Sequence, residues 1–251
     1  MKIISDIIEI KRMMSKLHDK TIGFVPTMGA LHPGHISLVE KAREENEIVV
    51  VSIFINPTQF DNKEDLKNYP STLNQDLTIL DKLNVDFVIT PNYEDLYPDN
   101  FSYKVEETSF SKKLCGSSRD GHFTGVLTVV MKLLNLANPT KAYFGEKDRQ
   151  QLLLIQGMVD AFFMDVEIVA APTVRESDGL AMSSRNIRLT DEERKIATVF
   201  PKLLRSNKTD DEIAKELNKS GFKTDYIETL DGIRYGAMFV GNVRLIDNVK
   251  I

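Results

Sequence analysis

The chain has 251 residues, 42% hydrophobic and 27% charged, with a formal net charge of −5. That is long enough for one full α/β domain plus a smaller one, too apolar for a disordered chain, and too acidic, without a long Lys/Arg block, for nucleic acid as the main partner. Its one cysteine, Cys115, permits no internal disulfide, and no apolar run approaches the length of a membrane span.

Taken in order, Ser5 is placed to cap a helix whose apolar positions Ile7, Ile10, Met14 and Leu17 follow helical spacing. The start at Met1, Lys2 and Ile3 carries no apolar signal core, so a cytoplasmic protein is expected. A strand over Thr21–Pro26 runs into a glycine-punctuated turn and then a helix with Ile36, Leu38, Val39 and Ala42 on one stripe. Glu47–Ile55 is apolar nearly throughout, as a strand buried on both faces of a parallel sheet would be. A helix with Leu73, Leu77, Leu80 and Leu83 in register leads to a strand over Asp86–Thr90. Gly125–Leu136 reads as a helix, Lys141–Phe144 as a strand, Asp148–Met164 as a long helix and Val166–Ala170 as a fifth strand.

Five strands alternating with helices predict a Rossmann-like, doubly wound parallel sheet over residues 1–186, with ligands at the carboxyl ends of its strands. Neither G-x-G-x-x-G nor a Walker A sequence occurs, which argues against a dinucleotide dehydrogenase and a P-loop NTPase. Residues 187–251 read as a smaller C-terminal α+β domain. A helix opens at Leu189 and runs to Leu204, Thr209 and Glu212 form a capping-box start for another, and short apolar runs broken at Gly232 and Gly241 suggest a small antiparallel sheet. A mobile domain there would close over the first.

The chain is organised around Gly23–Ile36, where a strand enters a turn carrying His32 and His35 and opens a helix. A helix start presents free backbone N–H groups and the positive end of the dipole, and two imidazoles three residues apart add donors on the same side. That favours a polyphosphate. Gly29 and Gly34 let the backbone approach a ligand closely. The bland alternatives are a surface turn or a metal pair, the latter short of ligands in a chain with four His and one Cys.

Gly145, Glu146, Lys147 and Asp148 follow a strand, so a lysine that can neutralise phosphate charge and an aspartate that can accept from a ribose hydroxyl stand at the ligand edge; the residues alone favour the plainer reading, a solvated turn with Asp148 as N-cap. Met182, Ser183, Ser184 and Arg185 offer hydroxyls and a guanidinium from a loop after the fifth strand. Gln59, after a strand stopped by Pro57, and Gln150 and Gln151, at a helix start, carry amides that both donate and accept, as a substrate with hydroxyls and a carboxylate requires.

His32, Pro33, Gly34 and His35 resemble the HIGH-type signature of the nucleotidyltransferase superfamily that includes class I aminoacyl-tRNA synthetases. The longer run Pro26–His35 is similar to one family within it, the pantothenate synthetases (pantoate–β-alanine ligases), as are Gly121–Val126, Phe144–Asp148 and the ending Gly241–Asn248. Two departures are visible: Ser71 stands where that family usually carries arginine, and the stretch between Asn186 and Asp225 is short.

The resemblance implies an ATP-dependent ligase that joins pantoate and β-alanine through pantoyl adenylate, with Mg²⁺ arriving on ATP and no metal site of the protein's own. It implies ATP contacts from Met28, Gly29, Ala30, Leu31, His32, Pro33, Gly34, His35, Gly145, Glu146, Lys147, Asp148, Val174, Met182, Ser183, Ser184 and Arg185. Gln59 and Gln151 would hold pantoate, with Gln59 also near β-alanine; His35, aided by His32 and Lys147, would be catalytic. A homodimer with no nucleic-acid or membrane partner is also implied. The alternatives are a simple adenylyltransferase of the same superfamily and a nucleotide-binding module without catalysis.

Overall fold

The computed structural model describes residues 1–251. Its apolar runs pair side by side in one parallel sheet: β1 (Lys2–Ile4), β2 (Ile22–Thr27), β3 (Ile48–Ile53), β4 (Phe87–Ile89), β5 (Lys141–Gly145) and β6 (Glu167–Ala171). Helices α1 (Ile7–Met14), α2 (Pro33–Glu45), α3 (Lys63–Lys67), α4 (Leu73–Lys82), α5 (Tyr93–Leu96), α6 (Cys115–Ser118), α7 (His122–Ala137) and α8 (Arg149–Ala161) lie between or after them. The C-terminal part adds α9 (Asp191–Ala197), α10 (Val199–Leu204) and α11 (Asp210–Lys219), then the antiparallel strands β7 (Lys223–Leu230), β8 (Ile233–Val240) and β9 (Val243–Lys250).

Strand alternation explains the two buried faces. Along β3, Val49 and Val51 face Leu38, Val39, Ala42 and Leu80 of α2 and α4, whereas Val50 joins the larger core formed by α1, α7 and α8. Each fully buried valine there contributes about 1.5–3 kcal/mol, which is why a continuous apolar run marks a central strand. The strand order β1-β4-β3-β2-β5-β6 reverses direction between β2 and β5. The carboxyl ends of those two strands therefore flank the switch point, where ligands bind in doubly wound folds.

The Rossmann-like sheet and the small C-terminal α+β unit match the sequence expectation, with local corrections. The sheet has six strands, not five, because Lys2–Ile4 pairs with β4 at the edge; three residues are too few to show periodicity. Asp6 caps α1 by accepting from Glu9 N–H at 2.7 Å, while the Ser5 hydroxyl meets that of Thr90 instead. The helix expected from Leu189 to Leu204 divides at Thr198, where Pro201 removes an N–H that a continuous helix would need. Thr190 and Thr209 form the capping boxes of α9 and α11.

The C-terminal part has its own core of Ala197, Phe200, Leu203, Leu204, Ile213, Leu217 and side chains from β8 and β9, and Leu180 joins it from the loop before α9. Tyr226 and Ile246 pack on the main core as well, so β7 and β9 join the two sheets. No helix is long and apolar enough to cross a membrane.

Candidate active site

The β2–α2 turn is held by hydrogen bonds within its own few residues and by one distant carboxylate. Gly29 and Ala30 both take positive φ, +80° and +50°, and a Cβ on Gly29 would stand 3.0 Å from Asp76 Oδ2. Asp76, buried on α4, accepts from the N–H of Ala30 at 2.9 Å and of Leu31 at 2.8 Å. The Gly29 N–H donates to Thr27 Oγ1, and the N–H groups of Gly34 and His35 donate to His32 Nδ1 and to the His32 carbonyl. The expectation of free backbone donors here is thus corrected: these amides already have partners.

That correction throws the work onto the imidazoles. His32 Nδ1 accepts from Gly34 N–H at 3.1 Å, and His35 Nδ1 accepts from His32 N–H at 3.4 Å. An accepting Nδ1 leaves the proton of a neutral ring on Nε2, so each ring keeps an Nε2–H donor free of the helix start. The rings lie 4.0 Å apart. Burial pushes His32 down to about 4, helped by the Lys147 charge, and pushes His35 down to about 3, helped by His32 and Lys147. Both rings are therefore neutral donors at physiological pH.

From β5, the turn Glu146–Asp148 carries Lys147 into the same cavity, 3.7 Å from Asp148 Oδ2. Asp148 stands at the N-cap position of α8, as the sequence allowed, but its side chain makes no cap hydrogen bond. On the loop after β6, Ser183 accepts from Arg185 N–H, and the Ser184 hydroxyl donates to the Ala30 carbonyl at 3.2 Å, tying that loop to the histidine turn. Arg185 is paired: with Arg188 it holds Asp65 of α3, at 2.8 and 2.7 Å. Burial pushes the Asp65 carboxyl up, but its bonds to Arg185 and Arg188 outweigh this and hold it below the usual range.

Gln59 closes the turn after β3, and its amide is fixed on both sides. Asn56 Nδ2 donates to Gln59 Oε1 at 3.1 Å, and Gln59 Nε2 approaches Met28 Sδ at 3.3 Å. The Gln59 backbone carbonyl accepts from His122 Nδ1 at 2.7 Å and from Arg119 at 3.3 Å, while Arg119 donates to His122 Nε2 at 2.9 Å. Burial, reinforced by the Arg119 charge, pushes His122 down to about 3, in keeping with a neutral ring. Gly125 is required beside this turn, since a Cβ there would lie 2.4 Å from the Thr58 carbonyl oxygen.

These loops enclose a cavity of about 900 Å³, near the upper end of the roughly 300–1,000 Å³ usual for ligand pockets. Of the residues expected from the sequence, Met28, His32, Gly34, His35, Gln59, Gly145, Lys147, Asp148, Gln151, Val174, Met182, Ser183, Ser184 and Arg185 line it; Gly29, Ala30, Leu31, Pro33 and Glu146 do not. Gln150, one residue from Gln151, is buried away from it, donating to the carbonyls of Phe110 and Lys113. Ser71 is exposed and outside the cavity.

Sequence reasoning missed Asn56, Asp76, Arg119 and the role of His122. Asp76 left one signal, a carboxylate three residues after Leu73 and four before Leu80 on a face expected to be apolar. The C-terminal sheet adds Lys223, Phe239, Asn242 and Arg244 to the wall. No group of three or more His, Cys, Asp or Glu side chains is placed to hold a metal ion.

A doubly wound sheet whose switch point carries a paired-histidine helix start and a strand-end lysine defines a nucleotide-handling α/β enzyme. Within that class, the chain belongs to the Pantoate-beta-alanine ligase family, whose model matches residues 2–250. It is 58% identical to the pantothenate synthetase of Bdellovibrio bacteriovorus over 231 residues, 92% of each chain. The pantothenate synthetase of Coxiella burnetii is 46% identical, over 99% of this chain and 96% of its own. Among solved structures, a pantoate-beta-alanine ligase from Francisella tularensis, complexed with beta-gamma ATP and beta-alanine, superposes with a TM-score of 0.96 at 44% identity, covering 100% of this chain and 97% of its own. Pantothenate synthetase from Thermus thermophilus gives 0.90 at 38% identity, covering 100% and 99%.

Proposed function

We propose that this enzyme ligates pantoate to β-alanine at the expense of ATP, through pantoyl adenylate. A pantoate carboxylate oxygen attacks the α-phosphorus, the bond to the β-phosphate breaks and pyrophosphate leaves. The neutral β-alanine amine then attacks the acyl carbon; AMP departs and the amine loses a proton. The observation that carries this reading is the pair of neutral histidines with Nδ1 tied inward, in one cavity with Lys147, Gln59 and Gln151.

Both steps bring anions together, so the protein's part is positioning and charge stabilisation. His32 and His35 donate Nε2–H bonds to phosphate oxygens and hold no imidazolium in reserve. Lys147 neutralises phosphate charge, and Met182–Arg185 close on the nucleotide with Val174. Gln59 and Gln151 take the pantoate hydroxyls and carboxylate, with Gln59 also facing β-alanine. The donor set fits a magnesium ion carried by the nucleotide: Asp65 is neutralised by two arginines, and Asp148 stands beside Lys147. When bound, that ion would neutralise phosphate charge.

The dividing point at residue 186/187 and a lid role for residues 187–251 belong to the same reading, supported by the separate core of the C-terminal part and its share of the cavity wall. So do a homodimer and a cytoplasmic location, which rest on the family resemblance and the lone buried Cys115; sedimentation at several concentrations tests the dimer. The test of the reaction is pantoate-dependent exchange of labelled pyrophosphate into ATP, followed by AMP release that requires β-alanine. AMP left on an acceptor without the amine would instead indicate an adenylyltransferase, and ATP binding without exchange a non-catalytic module.

A further inference from the structure

We propose that Asn248 is a positioning residue for Lys147, so that the last strand of the C-terminal sheet sets the geometry of the phosphate lysine. Asn248 Nδ2 donates to the carbonyls of Glu146 and Lys147, at 2.9 and 3.0 Å, across about a hundred residues of sequence. An amide nitrogen has two hydrogens, and here each meets one carbonyl of the short turn from which the Lys147 side chain enters the cavity.

The asparagine is itself anchored. Its backbone N–H donates to Asp247 Oδ1 at 2.8 Å, and the Asp247 carboxylate, almost wholly buried, takes both terminal nitrogens of Arg175 at 2.7 and 2.9 Å. Arg175 follows Val174, also donates to the Gly179 carbonyl, and is bridged to Ala181, next to Met182. The pair Asp247–Asn248 thus clasps two loops of the cavity wall, Gly145–Asp148 and Val174–Met182, from a strand that contributes neither. An error of an ångström in a binding group far from the chemistry can cost about a hundredfold in rate. A rigid two-bond clasp on the lysine's own peptide groups guards against such an error.

The inference rests on the reading of Lys147 as the residue that neutralises ATP phosphates, and a double-variant cycle separates the two. Asn248→Ala should lower kcat/KM for ATP in pyrophosphate exchange by about 10–100-fold, with pantoate KM little changed. In a Lys147→Met background the same substitution should add almost nothing, because its effect passes through the missing ammonium. Asn248→Asp, equal in size but facing two carbonyls with acceptor oxygens, should behave like Asn248→Ala, and is read in its place if the alanine variant does not fold. Losses that multiply in the double variant, equal losses for ATP and pantoate, or wild-type kinetics in the Asn248 variants would overturn the proposal while Lys147 keeps its role. A silent Lys147→Met would overturn both.

Discussion

At the β2–α2 turn, His32 and His35 are oriented by hydrogen bonds that span two and three residues of chain. At the turn after β3, the Gln59 backbone carbonyl is held by His122 and Arg119, which lie 63 and 60 residues further on. Both turns end neighbouring parallel strands and face one cavity, yet the imidazoles of one are oriented by their own turn and the peptide carbonyl of the other is held from afar. The difference teaches what each can do. A helix start can lock imidazole tautomers on its own, because its N–H groups are orphaned there in any sequence. The peptide carbonyl at a strand-end turn has no ready donor beside it and takes its partners from a helix that the fold brings in, while Asn56, three residues away, holds the Gln59 side-chain amide.

The largest effect should come from the local lock. His35→Ala removes an Nε2–H donor and the acceptor of the His32 N–H together, and is expected to lower kcat for adenylate formation by about 10²–10³, the size of one lost transition-state donor. Folding, followed by thermal melting, should be nearly unchanged; near-normal pyrophosphate exchange in a folded variant would sink the assignment.

Next comes the substrate amide. Gln151→Ala should weaken pantoate use by about 1–3 kcal/mol, because polar groups of the substrate lose their partner, while ATP binding barely moves. An analogue without the pantoate 2-hydroxyl should lose less than pantoate does. Wild-type kcat/KM for pantoate in this variant would remove Gln151 from the site.

His122→Ala tests the distant lock. The substitution takes one donor from the Gln59 backbone carbonyl and leaves Arg119 short of an acceptor. We expect about 1–3 kcal/mol off the stability and a raised pantoate KM with the ATP KM unchanged. Equal shifts in both constants would mean that His122 does not act through Gln59.

The smallest effect on rate is expected from pH. With His32 near 4 and His35 near 3, the rate of adenylate formation should show no histidine limb around the ordinary value of 6.5. Stability behaves otherwise. Below 6.5 the unfolded chain takes up protons that His32, His35 and His122 refuse in the fold, so their contribution, full above 6.5, should fall steadily until pH reaches about 3. A rate profile bending near 6.5 would show that one ring ionises in the working enzyme.

The sequence by itself determined the alternation of strand and helix, the buried central strand Ile48–Ile53, the histidine turn and the strand-end lysine, because each is set by spacing of a few residues. It could not show that β1 closes the edge of the sheet, or that Asp76 takes the N–H groups of Ala30 and Leu31. Residue type and spacing did not separate Gln150 from Gln151, which only the family resemblance told apart, since adjacent helical residues point about 100° apart and the packing of α8 decides which one meets the cavity. The grip of Asn248 on the Lys147 turn spans more than four-tenths of the chain. Such partners are decided by tertiary structure alone, because hydrogen-bond direction depends on where the two backbones come to rest, and no periodicity in either segment records the other.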